Sequence, residues 1–293
     1  MKAEAVEYLE KICNWYNGLS QQVRDSITYS VTILGFFSTL FSILGVSLGN
    51  WENSNILIRL VVVVLAFIII YIIICFAIGK IFKNSVKLTI RQTPISISYG
   101  DIFKAPGWKV IGCDTHFDTR IDDVIISKKS LHGQLVMNHG NKDKIDAVVK
   151  SEAKRLGIKK NNEGLYDFPL GTVIRYDSSV DNQTYLMVAT TELNAQHEAH
   201  TNMAKFELML MKMWAEINRV YASNDIVLPL LCAGISRFDD GPKEKAVLLK
   251  CMLCTLNSSG VNFKSQIGII IYGDARDIPM YEYKNMFHTI IRG

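Results

Sequence analysis

ILIRLVVVVLAFIIIYIIICFAIG, the run from Ile56 to Gly79, decides how the rest of the chain is read. Its one charged residue is Arg59, near its start. From Leu60 to Ile78 it is apolar all round, so as a helix it has no polar face to show to water. At about 1.5 Å per residue it is long enough to cross a hydrocarbon core of about 30 Å. Arg59 is placed where a long cationic side chain reaches the headgroups. The alternative, a helix buried in a soluble core, is disfavoured by the missing polar face.

Working backwards, Ser26 to Trp51 carries no charge and is rich in Ile, Leu, Phe and Val. The connector Trp51-Glu52-Asn53-Ser54-Asn55 is short and polar. The two runs therefore predict an antiparallel transmembrane hairpin over 26–82. Lys80, Lys83, Lys87 and Arg91 come directly after it, and 83–92 reads as a basic linker. The positive-inside bias places the C-terminal domain, and with it the N-terminus, in the cytoplasm. Residues 1–25 carry Val6, Leu9, Ile12, Cys13, Tyr16 and Leu19 at helical spacing. They form an amphipathic segment that lies on the membrane, packs on the soluble domain or meets a neighbouring subunit.

Composition agrees with a mixed chain. Of 293 residues 49% are hydrophobic and 20% charged. A mean hydropathy of +0.16 is high for a soluble protein and low for a many-span transporter. A net charge of +4 gives no argument for a nucleic-acid partner. Six cysteines, with no second pair to match Cys251 and Cys254, read as free buried thiols in a reducing compartment. No cleavable signal peptide is evident.

Residues 93–293 read as an α/β domain. Strands are predicted in 87–99, 108–113, 172–176, 184–190, 225–231 and 267–272, and helices over 141–156, 202–221 and 242–256. Continuous apolar strands alternating with helices imply a mixed sheet covered on both faces. Ligands in such domains bind beyond the strand ends. Four loops fall there: Gly100 to Phe103, Cys113 to Asp118, Leu131 to Gln134, and Leu231 to Phe238. Asp101 reads equally as a ligand carboxylate or a cap. Gly133 allows close backbone approach by a phosphate. The small residues around Gly234 leave amides free for an anion, and Arg237 adds charge. Together the loops suggest a nucleotide diphosphate. No P-loop or GxSxG is present, and His197 and His200 lack HExxH spacing and a third metal ligand.

Gly100-Asp101-Ile102-Phe103 after a strand resembles the GDI signature of macro domains, the ADP-ribose-binding fold. Leu231 to Phe238 resembles that family's second phosphate loop, and Ile267 to Asp274 its last strand. Two spans followed by a divergent macro domain resemble the membrane-anchored effector of the Thoeris anti-phage defence system. The resemblance implies a three-layer α/β/α domain in which Asp101 and Ile102 hold the adenine. Leu131, His132, Gly133 and Gln134 would line the first phosphate loop. Cys232, Ala233, Gly234, Ile235, Ser236 and Arg237 would line the second, with Tyr272 and Asp274 at the adenosine end. Asp114 and Thr115 stand where hydrolytic macro domains carry an Asn pair for the distal ribose. That departure implies a binder rather than an enzyme, and a distal group unlike that of ADP-ribose.

By the same resemblance, the ligand is a histidine–ADP-ribose conjugate made by a TIR-domain partner, with no cofactor or metal. The chain sits in the bacterial inner membrane as a homo-oligomer, a tetramer or larger. Small residues Gly35, Ser38, Ser42 and Gly45 suit helix contact. Ligand binding would trigger membrane disruption and abortive infection. A membrane-tethered ADP-ribosyl hydrolase and a passive scaffold are the alternatives.

Overall fold

The computed structural model describes residues 2–43, 56–121, 126–194, 198–234, 236–273 and 278–284. Two compact units emerge: Met1–Asn84 together with Pro279–Met286, and Ser85–Ile278.

The first unit begins with α1, Lys2–Asn17, which turns at Gly18 into α2, Gln21–Ile43. α3 spans Ile56–Ile81. The Gln22 amide donates to Cys75 O at 3.0 Å, and a Cβ on Gly79 would lie 3.3 Å from the same amide nitrogen. The start of α2 therefore lies against the end of α3, and the two helices run antiparallel. Ser26 and Ser30 are fully buried, and their hydroxyls donate to the carbonyls of Gln22 and Ser26, each at 2.7 Å. Back-bonding of this kind satisfies a buried hydroxyl without an outside partner.

α2 starts at Gln21, not Ser26, and takes in Arg24 and Asp25. The Tyr281 hydroxyl donates to Asp25 at 2.6 Å, which lets a carboxylate stand at that point. Among the described residues one helix is long and apolar enough to cross a membrane, Val61–Ile81, with mean hydropathy 3.5. The later part of the expected first span and the Trp51–Asn55 connector lie outside the described residues.

The expected linker over 83–92 is instead a strand and a turn. β1, Ser85–Ile90, pairs antiparallel with β2, Thr93–Tyr99, through Arg91 and Gln92, and Arg91 sits at φ 55°. The basic residues misled because they lie on the outer face: Lys87 is exposed between buried Val86 and Leu88.

The second unit continues with β3, Trp108–Asp114. A short helix α4, Leu131–Gln134, runs into a π-helical turn, Leu135–His139, and α5 spans Lys142–Leu156. β4, Val173–Asp177, and β5, Thr184–Leu193, form a hairpin, and β6 is Ala199–Thr201. α6, Met203–Val220, leads to β7, Ile226–Pro229, and β8, Arg237–Phe238. α7, Lys245–Ser258, and β9, Ile267–Ile271, complete the unit's helices and strands among the described residues.

The sheet order is β1-β2-β9-β7-β3-β5-β6-β8, with β4 beside β5. β2, β9, β7, β3 and β5 are parallel, while β1 and β4 are antiparallel to their neighbours. The sheet is thus mixed. Alternation along the strands divides the core. Ile111, Cys113, Tyr185, Met187 and Ala189 pack with Ile145, Val149 and Ala153 of α5. α6 and α7 pack together, with Trp214 Nε1 donating to the Thr255 hydroxyl at 3.2 Å, and α6 also lies against β4 and β5.

The helix ends obey local chemistry. Asn141 caps α5 through Lys144 N–H, and Gly157 closes it at φ 69°. Asn202 caps α6 in the same way. α7 begins at Lys245, three residues past Pro242, where the helix was expected to open.

Candidate functional site

Parallel strands gather their carboxyl ends on one side of the sheet. A cleft of about 940 Å³ opens there. That is within the range of small-molecule sites, roughly 300–1,000 Å³.

Asp101 and Ile102 continue from β2 into the cleft. Asp101 caps the 3₁₀ turn Ile102–Lys104: one carboxylate oxygen accepts Phe103 N–H at 3.0 Å, and the other lies 3.8 Å from the Lys104 ammonium. Asp101 thus caps the turn and also lines the cleft. Ile102 is buried and also belongs to the core.

β3 ends at the cleft floor. Its register against β5 shifts between Cys113 and Asp114, which bypasses Thr190. The Thr190 hydroxyl donates to Cys113 O at 3.0 Å across the irregularity. Such bulges re-aim side chains beside functional sites. Asp114, 6% exposed, accepts His116 N–H at 2.7 Å and lies 3.7 Å from His132 Nδ1. Burial holds the His132 imidazole below its ordinary pKa, against the opposing charges of Asp114 and Asp118. Its Nε2 finds no hydrogen-bond partner among the described residues. Thr115 does not reach the cleft: its N–H donates to Thr191 O at 3.0 Å, and its carbonyl accepts Phe168 N–H. Chain alternation turns it into the protein.

The loop at 127–134 corrects the glycine reading. Leu131, His132 and Gln134 line the cleft, but Gly133 does not. Gly133 N–H is taken by the Ser130 hydroxyl at 2.9 Å, and a Cβ there would lie 2.3 Å from Ser127 O. The close approach that requires glycine is made by the protein's own backbone. The cleft wall is supplied instead by Ser127, Lys128, Lys129 and Ser130, none of which was singled out from sequence. The signal was present, as a lysine pair before a Ser cap, but without a strand end to place it.

The loop after β7 brings Leu230, Leu231, Cys232, Ala233, Gly234 and Ser236 to the cleft. Cys232 holds φ 56°, the left-handed region that disfavours side chains. Burial pushes its thiol up to about 12, against hydrogen bonds with Ser236 and Thr190. A Cβ on Gly234 would meet nothing within 4 Å, so the residue opens space on the wall. Arg237 lies off the cleft on β8, with its guanidinium 2.7 Å from the Glu198 carboxylate. Glu198 and Asp239 both also face His200, at 3.5 and 2.5 Å, so Arg237 belongs to an ion network that joins β6 to β8. Tyr272, 87% exposed, lines the cleft without closing it, and its carbonyl accepts a hydrogen bond from the Lys245 ammonium at 3.3 Å. Lys245 and Thr191 are cleft residues that sequence reading missed. Ile235, Asp274 and His197 lie outside the described residues.

Among the described residues no group of three His, Cys, Asp or Glu side chains could hold a metal ion. Cys113 is buried, whereas Cys13 and Cys254 are exposed, so the thiols are free but not uniformly buried.

The cleft is thus lined by the Asp101 carboxylate, by Lys128, Lys129 and Ser130, by the small-residue Cys232–Gly234 loop, and by the buried Asp114 and His132. A sequence profile described as "Thoeris protein ThsA, Macro domain" matches residues 95–272. The Thoeris protein ThsA of Bacillus amyloliquefaciens (strain Y2) is 30% identical over 271 residues, 89% of this chain and 88% of that protein. Among solved structures, the Oceanobacillus iheyensis macrodomain with ADP aligns at a TM-score of 0.45 and 15% identity, over 71% of this chain and 98% of that one. The same macrodomain with MES bound aligns at the same score and identity. By the profile match and the likeness to the Bacillus protein, the chain belongs to the Thoeris ThsA macro-domain family.

Proposed function

We propose that this protein is a membrane effector of anti-phage defence whose cleft senses an ADP-ribose-derived nucleotide. The observation that carries the reading is the distribution of groups around the 940 Å³ cleft. Asp101 is a carboxylate suited to an adenine amine. Lys128, Lys129 and Ser130 line the same cleft as the Cys232–Gly234 loop, and cationic and hydroxyl groups beside a small-residue loop suit a diphosphate. Asp114 and His132, in the same cleft, are the groups this reading assigns to the distal end of the ligand. The finer ligand is a histidine–ADP-ribose conjugate supplied by a TIR-domain partner.

In this reading the cleft binds without turnover. Hydrolysis needs a water activated at the distal carbon. Asp114 and Thr115 stand where, by the family resemblance, hydrolytic macro domains carry an Asn pair, which favours binding over turnover. Membrane output falls to the helices: α3 spans the inner membrane, α2 is its antiparallel second pass, and the sheet domain is cytoplasmic. Two helices enclose no pore, so the effector acts as a homo-oligomer, a tetramer or larger. Ligand shifts its state only as far as it prefers that state.

Calorimetry on the full chain in nanodiscs tests the core of the proposal. Heat with histidine–ADP-ribose or ADP-ribose, and none with AMP, is expected; no heat with any ADP-ribose derivative removes it. Chromatography of the incubated ligand separates binder from hydrolase, since steady product formation contradicts the non-catalytic reading. Dye release from liposomes on ligand addition tests the output.

A further inference from the structure

α1 is held to α2 near its C-terminal end. The Tyr16 hydroxyl donates to Arg24 O at 3.2 Å and meets the Thr28 hydroxyl at 2.9 Å, which ties the end of α1 to α2. On a neighbouring face Ile12 and Trp15, three residues apart, are 56% and 63% exposed. A 16-residue helix is marginal in water unless an apolar face is covered.

The level of α1 along the helix pair says what covers it. The Gln22–Cys75 contact sets the first turn of α2 beside the last turns of α3. The Gly18–Ser20 elbow, and with it Trp15, stands at that same end. Lys80 and Lys83 are exposed there. Phe82 packs edge-on against Tyr281 at 5.0 Å, and the Lys284 ammonium lies 5.2 Å and 5.5 Å from those two rings. Aromatic rings and lysines collected at one end of an apolar helix form the composition of a membrane–water boundary.

We infer that α1 lies along the headgroup layer of the cytoplasmic leaflet, with Ile12 and Trp15 turned into the acyl boundary. The inference rests on α3 being a membrane span. Its occupant is lipid: the indole suits the boundary, and the neighbouring lysines attract anionic headgroups. A second copy of the chain would give no reason for the basic and aromatic collar.

The test uses the full chain in nanodiscs containing phosphatidylglycerol, alongside Trp15→Phe; their difference isolates Trp15 emission. Lipids brominated near the headgroup are expected to remove most of that emission, and aqueous acrylamide little of it. Trp15 emission that acrylamide quenches and bromolipid spares overturns the inference. So does blue-shifted emission insensitive to both, which marks a protein partner. Vesicle flotation of the same samples is the separate control: a chain that fails to float removes the α3 reading, whereas a floating chain with lipid-insensitive Trp15 removes only this inference.

Discussion

The Glu282 carboxylate lies 3.1 and 3.2 Å from the backbone nitrogen of Gln21, across 261 residues of sequence. It supplies an acceptor, and a negative charge, at the first turn of α2, where amides lack intrahelical partners. Glu282→Ala is expected to destabilise the first unit by about 1 kcal/mol. Glu282→Gln, which keeps an acceptor, is expected to lose less. Thermal unfolding in detergent, read by helix signal, checks this; equal loss in both variants leaves charge as the whole effect.

The double duty of Asp101 separates by substitution. Asp101→Ser keeps an acceptor for Phe103 N–H but removes the carboxylate from the cleft. Asp101→Ala removes both. If Asp101 holds ligand, both variants weaken nucleotide binding by at least about tenfold, roughly 1.4 kcal/mol. Should Asp101→Ser bind like the parent, the residue acts as a cap alone.

Gly133→Ala places a Cβ 2.3 Å from Ser127 O, so the Ser127–Ser130 loop must shift. A cost of about 1–3 kcal/mol in stability is expected, with weaker binding. Gly234→Ala enters open space and is expected to leave thermal stability unchanged while reducing ligand affinity. Unfolding curves and calorimetry on the pair distinguish a structural glycine from a clearance glycine.

Two histidines give stability opposite pH slopes. Burial lowers the His132 pKa from 6.5, so below that pH the unfolded chain binds the extra proton and stability falls as acid is added. The Asp239 hydrogen bond, with Glu198 second, raises that of His200 from 6.5. The stability it contributes is therefore full below 6.5 and is lost as pH climbs through the raised value. His132→Gln is expected to flatten the acid limb, and His200→Gln the limb above pH 6.5, each leaving the other in place. Denaturant midpoints from pH 5 to 8 check the signs.

Elements that depend on their own neighbours were legible in the sequence. The unbroken apolar run from Leu60 to Ile78 lies within α3, and Asn141 and Gly157 bound α5 as their chemistry dictates. The carboxyl-end cleft was legible from strands alternating with helices. What escaped depends on distant partners. Asp25 sits inside α2 because Tyr281 meets it, 256 residues away. Arg237 leaves the cleft because Glu198 holds it, and Gly133 faces Ser127 rather than ligand. Lys87 and its neighbours read as a linker because charge is visible in a sequence, whereas pairing with the Thr93–Tyr99 strand is not.

The return of Pro279–Lys284 to the first unit imposes an order on biosynthesis. The apolar helices leave the ribosome early, yet the Glu282 and Tyr281 contacts at α2 form only after translation has passed the whole sheet domain. A nascent or prematurely terminated chain carries the apolar helices without that fastening. The architecture thus separates in time the making of the helices from the closing of their base.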